Sequence, residues 1–242
     1  MKKKVIASIL ALTLAFSLTA CGSDQKEDKK ESTKTEQQDE TEDEEDVEEV
    51  EEEVEEEVEE EKAMVEAGTI EGNIYTNASL GIQATIPEGY VLYSDEQIQE
   101  TIGAGEEMLE ATEYDVDALD ESGTLYELMA ETEDHSANIQ IAIENTEVSV
   151  GMELDADQYA QILKANLETT YEANGYPVQS AEITQENKGG LDCQVITVSL
   201  SELTQQYYVI EIDGYMVGIA VTYAGTTTPE SVQQFLDSIT AI

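Results

Sequence analysis

One histidine, two cysteines and no arginine or tryptophan narrow the chemistry open to this chain of 242 residues. His135 stands between Asp134 and Ser136, the residue types of a hydrolytic triad. A triad, however, converges from separate elements, whereas neighbours in a turn point apart. His135 therefore reads as an exposed turn residue titrating near its ordinary pKa of about 6.5. Zinc is poorly served, because a zinc site draws on several imidazoles or thiolates and only His135 and Cys193 stand outside the first residues. Calcium needs oxygens alone, and Asp115, Asp117 and Asp120, followed by Ser122, Gly123 and Glu127, supply them. Their spacing lacks the glycine and bidentate glutamate that an EF-hand places at its sixth and twelfth positions. Carboxylate pairs for glycoside hydrolysis carry no information where acids are this abundant. Gly103-Ala104-Gly105 lies inside a helical pattern and lacks the third glycine of a phosphate loop. The expectation is a non-enzymatic chain with no catalytic residue, no metal ligand and no cofactor.

The elements around the two cysteines give them different roles. Cys193 sits in an apolar strand pattern and reads as a small buried hydrophobe. Ahead of Cys21, Lys2, Lys3 and Lys4 precede an apolar run from Val5 to Leu18, too short for a permanent membrane helix but suited to the centre of a signal peptide. Leu18-Thr19-Ala20-Cys21 then resembles the lipobox of bacterial lipoproteins. That resemblance implies removal of residues 1–20 and attachment of diacylglycerol, with a further acyl chain such as palmitate, to Cys21. Two or more chains hold a protein stably on a bilayer. The implied place is the extracytoplasmic face of the cell membrane, with membrane lipid as the first partner.

Residues 21–71 read as a spacer. From Cys21 to Glu66 there are 24 acidic residues against five lysines. Such a composition cannot bury enough apolar surface to offset chain entropy, so residues 23–46 are expected to be disordered. Val47, Val50, Val54 and Val58 then recur at helical spacing among glutamates that repel one another, which predicts a transient helix. Beyond Glu66 there are 32 acids against Lys164 and Lys188 alone. The whole carries a formal charge of −46, a field that repels phosphate backbones and excludes nucleic acid as a partner.

Residues 72–242 read as one folded domain. Short strands are expected at 73–77, 81–86 and 90–93, and a helix opens at Ser94 with Gln97 completing a capping box. A hairpin at 124–132 and 138–145 turns around His135, and Asp155 caps a second helix that ends near Asn174-Gly175. A meander follows at 181–187, 191–200, 204–212 and 215–223, whose last three strands are apolar on both faces from Val195 to Leu200, Val209 to Ile212 and Val217 to Val221 and so covered on both sides. Thr228, Pro229 and Glu230 are expected to start the last helix as N-cap, N1 and N2. The order predicts an α+β fold, an antiparallel β-sheet with helices packed on its faces.

Ile74-Tyr75-Thr76-Asn77, Leu80-Gly81-Ile82 and Ile86-Pro87-Glu88-Gly89-Tyr90, with the closing Phe235-Leu236-Asp237-Ser238-Ile239, resemble the motifs of PsbP-like domains. The resemblance implies an α/β/α sandwich that acts mainly by binding protein partners. Tyr90 stands where that family usually has tryptophan. Tyr207, Tyr208, Tyr215 and Tyr223 would form a recognition patch if one face of the meander were open, and core packing if it were not. The function expected is a lipid-anchored, non-catalytic binding domain for an envelope protein or ligand. The alternative is a small-ligand or calcium-binding lipoprotein accessory to a transporter.

Overall fold

The computed structural model describes residues 65–110 and 123–242. Cys21, the signal segment, the spacer up to residue 64 with its valine repeat, and the Asp115–Asp120 loop lie outside them. In chain order the elements are β1 (Thr69–Glu71), β2 (Ile74–Asn77), β3 (Ile82–Thr85), β4 (Tyr90–Leu92), α1 (Asp95–Glu110), β5 (Thr124–Thr132) and β6 (Ala137–Glu144). There follow α2 (Thr146–Ser149), α3 (Ala156–Ala173), β7 (Ser180–Lys188), β8 (Leu191–Ser199), β9 (Leu203–Ile212), β10 (Tyr215–Ala224), α4 (Glu230–Ser238) and β11 (Thr240–Ala241).

Seven strands form one antiparallel sheet in the order β4-β5-β6-β10-β9-β8-β7. Its hairpins are set by residues that accept positive φ: Asp213 and Gly214 join β9 to β10, and Gly189 and Gly190 join β7 to β8. On one face, Ile98 and Ile102 of α1 and Tyr159, Leu163, Leu167 and Tyr171 of α3 pack over Ile196, Tyr207, Val209 and Met216. On the other face, Val232, Phe235 and Leu236 of α4 and Tyr75 and Ile82 of the first strands cover Ile139, Ile141, Val195, Val217 and Ile219. The fold is thus α+β, an antiparallel sandwich whose central strands are buried on both sides, as the unbroken apolar runs of β8 to β10 require.

Three local features differ from the expectation. The opening strands leave the main sheet to form a second one, β1-β2-β3-β11, so the far layer is mixed rather than purely helical. Its outer members, β1 and β11, are two or three residues long and carry no readable alternation. Because β1 pairs Thr69–Glu71 with Ile74–Thr76, the folded part begins ahead of residue 72. At α4 the N-cap is Pro229, which makes no side-chain cap. Thr228 instead donates its hydroxyl to the Tyr223 hydroxyl at 3.1 Å, and so is spent on the core rather than the helix. The box at Ser94 with Gln97 and the Asp155 cap form as expected, and Gln158 completes the latter into a second capping box.

Candidate functional site

His135 sits at the β5–β6 turn with φ 56, and its Nδ1 meets Glu131 Oε2 at 2.8 Å. Ser136 Oγ donates to Asp134 Oδ1 at 2.7 Å instead of to the imidazole. Asp134 is held down at about 2, chiefly by the Ser136 hydroxyl and then by Thr132. Glu131 raises the histidine's proton affinity by hydrogen bonding and charge. Asp134 and Ser136 therefore pair with each other while His135 turns to Glu131, and the serine hydroxyl does not face the imidazole. Cys193 is buried, its thiol pushed up to about 11 mainly by desolvation, so it is packed rather than reactive. Among the described residues, no cluster of three or more His, Cys, Asp or Glu side chains could hold a metal ion.

The four tyrosines form no recognition patch. None is more than 7% exposed, and the strand alternation splits them: Tyr207 faces the α1–α3 layer, while Tyr208, Tyr215 and Tyr223 face α4 and the small sheet. The open face that a patch requires is absent there because both sides of the meander are covered.

What the sequence reading missed is a buried polar row beneath α3. Strand register sets Asn138 opposite Thr222 and Thr222 opposite Gln205, all on the helix-covered face. Gln205 accepts the hydroxyls of Tyr171 and of Tyr207, the latter at 2.6 Å, and donates to Thr222 at 3.0 Å. Gln140 donates to Asn138 at 3.3 Å, yet its own oxygen, like the Thr170 hydroxyl, is buried with no hydrogen-bond partner among the described residues. Beside it, Ala142, Gly218 and Ala220 carry little or no side chain. A signal existed, since polar residues recur at every second position from Asn138 to Gln140 and at Gln205.

A second buried group lies at the far end of the same face. Glu144 is fully buried and accepts the Tyr159 hydroxyl at 2.7 Å. The Ser149 hydroxyl, and after it that of Tyr159, favours the carboxylate, although neither Ser149 Oγ nor Glu144 Oε1 completes a hydrogen bond of normal geometry. Desolvation dominates and raises the carboxyl's pKa. Because the folded state then holds its proton more tightly than the unfolded chain, the stability Glu144 contributes is present below the unfolded pKa of about 4.3. It is lost as pH rises through the higher folded value. Glu144→Gln, which keeps the acceptor for Tyr159 but cannot ionise, is expected to match the native protein near pH 4. It should exceed it by about 1–3 kcal/mol at pH 8. Urea unfolding at both pH values checks this, and a difference that shrinks as pH rises would refute it.

A third group joins the chain ahead of β1 to the main sheet. A β-bulge between Tyr126 and Leu128 sets Glu127 apart from the ladder. Its carboxylate receives Gly68 N at 2.8 and 3.0 Å, the hydroxyl of fully buried Tyr75 at 2.8 Å and Asn77 Nδ2 at 3.4 Å. Asn77 Nδ2 also holds the Glu66 carbonyl at 3.0 Å. Gly68 is required by close approach, since a Cβ there would lie 2.3 Å from Glu127 Oε2 and 2.7 Å from the Tyr75 ring. Glu127, expected as a possible calcium oxygen, is instead committed to this clasp.

No protein-family model matches the chain, and no curated protein matches it. Two solved structures share part of its chain path. One, from Bacteroides thetaiotaomicron, has a TM-score of 0.36 at 9% identity and covers 72% of this chain, which spans about half, 49%, of that protein. The other is LpqN, described as involved in cell envelope biogenesis of Mycobacterium tuberculosis, with a TM-score of 0.37 at 11% identity, covering 66% of this chain and 82% of its own. At TM-scores this low, such likenesses say nothing of what this chain binds.

Proposed function

We propose that this chain is a membrane-anchored lipoprotein whose domain works on the extracytoplasmic side by binding, without catalysis, an envelope protein or ligand. The observation that carries the reading is Leu18-Thr19-Ala20-Cys21 behind a basic start and an apolar run. The clasp suits such a tether: tension drawn through the residues before β1 falls on Glu66 and Gly68 and passes into β5 of the main sheet. The dispersal of His135, Ser136 and Cys193 to separate partners supports binding over chemistry. Cys21→Ala is expected to move the protein from the membrane fraction to the soluble extracytoplasmic fraction. Mass spectrometry of the native N-terminal peptide should find an acylated cysteine. An unmodified thiol on membrane-bound native protein would overturn the anchoring.

A small-ligand reading is favoured by one observation, the unmatched oxygen of Gln140 in the polar row. A calcium reading rests on the Asp115–Asp120 loop alone. Calorimetry with calcium discriminates: saturable binding of one ion would put the ligand reading ahead of the protein-partner reading.

A further inference from the structure

The main sheet ends in two unlike edges. β4 is three residues long, whereas β7 runs nine residues, Ser180–Lys188, and among the described residues nothing pairs with its outer side. An unpaired strand of this length spans about 30 Å and offers a full row of backbone donors and acceptors. Its side chains decide what can use them. Glu182, Thr184 and Glu186 share the face that carries Cys193 and Val195 on β8, and all three are exposed. On the opposite face, Ala181 and Ile183 pack against the helix layer, and toward the β7–β8 turn Gln185, Glu186, Asn187, Asp192, Cys193 and Gln194 line a cleft of about 430 Å³.

A second copy of the chain is a poor occupant. Antiparallel pairing of two β7 edges about Thr184 sets Glu182 against Glu186 twice, and directly opposed like charges destabilise a strand pair; only pairing about Gln185 would set Glu182 against a cation, Lys188. The cation nearby, Lys188, is already engaged by Glu186 at 3.2 Å and Asp237 at 3.8 Å and lies over the Tyr208 ring. Glu182 makes no such ion pair among the described residues. The same charges that repel a copy complement an extended segment bearing lysine or arginine at alternate positions, with small or polar residues between them to lie beside Ala181, Ile183 and the cleft.

We propose that β7 receives a cationic, extended segment of a partner protein as an eighth strand of the main sheet. This rests on the binding reading above and names the chemistry of its partner. The test uses the full chain extracted from membranes in detergent and a synthetic peptide as long as β7 in which lysine alternates with threonine. Amide hydrogen exchange by mass spectrometry reads the site, because strand pairing protects backbone amides and charge attraction alone does not. At saturation the peptide should slow exchange across 180–188 about tenfold. A glutamate–threonine peptide, or the lysine peptide with a central proline, should not. Glu182→Lys combined with Glu186→Lys should exchange the preference between the lysine and glutamate peptides.

Binding that leaves exchange in 180–188 unchanged, or that the proline peptide reproduces, overturns the proposal. A native partner that is captured by the domain yet leaves these amides unprotected also overturns it, while the tethered binding function stands. Loss of acylation at Cys21 would do the reverse.

Discussion

Glu127→Ala is expected to destabilise the domain by about 3 kcal/mol, because it leaves several donors without an acceptor at once. Each donor in the clasp has a different fate. Tyr75 is 0% exposed, so its hydroxyl cannot turn to water; Asn77 is equally buried but its Nδ2 keeps the Glu66 carbonyl at 3.0 Å, and Gly68 N, only partly buried, recovers some hydration. The Tyr75 hydroxyl therefore accounts for most of the loss. In a domain of this size the loss corresponds to a fall in Tm of roughly 6–12 °C. Tyr75→Phe removes donor and desolvation cost together and should cost about 1 kcal/mol. Glu127→Gln should fall between them, since its amide group brings a donor against Gly68 N. In the double variant with Tyr75→Phe and Glu127→Ala the two losses should not add, because the same hydrogen bond is counted in both. Additive losses in thermal unfolding would show that Tyr75 and Glu127 act independently and that the clasp is not a unit.

The clasp also marks the limit of what the residues disclosed in advance. Amphipathic periods and turn chemistry placed the long elements, from Thr124–Thr132 to Tyr215–Ala224, within a residue or two, because burial on one or both faces imposes a pattern on every position. Gly189-Gly190 and Asp213-Gly214 were legible for the same local reason, as positions that require positive φ. Glu127 was not. Nothing local distinguishes a glutamate at a bulge from its acidic neighbours, and its partners lie 52 and 59 residues away. The tyrosines illustrate the converse. Composition singled them out, but their environment depends on what covers the sheet, and β1 and β11, too short to show alternation, belong to the layer that does so. Asn138, Gln140 and Gln205 mimicked a solvent-facing alternation because period two states which residues share a face and is silent on whether that face is wet.

Gly189 is the position where the chain end and the main sheet constrain each other most tightly. Its φ of +54 lies in the left-handed region, and a Cβ there would stand 2.4 Å from both Ile239 O and Thr240 Cα. Those atoms cannot swing aside as a side-chain tip would. Ala241 N and Thr240 Oγ1 donate to the Gly189 carbonyl at 3.1 and 3.2 Å, and β11 is paired on its other side with Gln83 and Ile82 of β3. Alanine at 189 must therefore strain its own backbone, by about 1–2 kcal/mol, and also push the terminal strand off its two supports. A total of about 3 kcal/mol is expected, toward the upper end of what one substitution does. The two contributions separate in a chain ending at Ile239. With β11 gone, the carbonyl of residue 239 is free to move, and Gly189→Ala should then cost only the backbone strain. If urea unfolding gave the same loss in both backgrounds, the close approach of the hairpin to the terminal strand would not be what confines residue 189 to glycine.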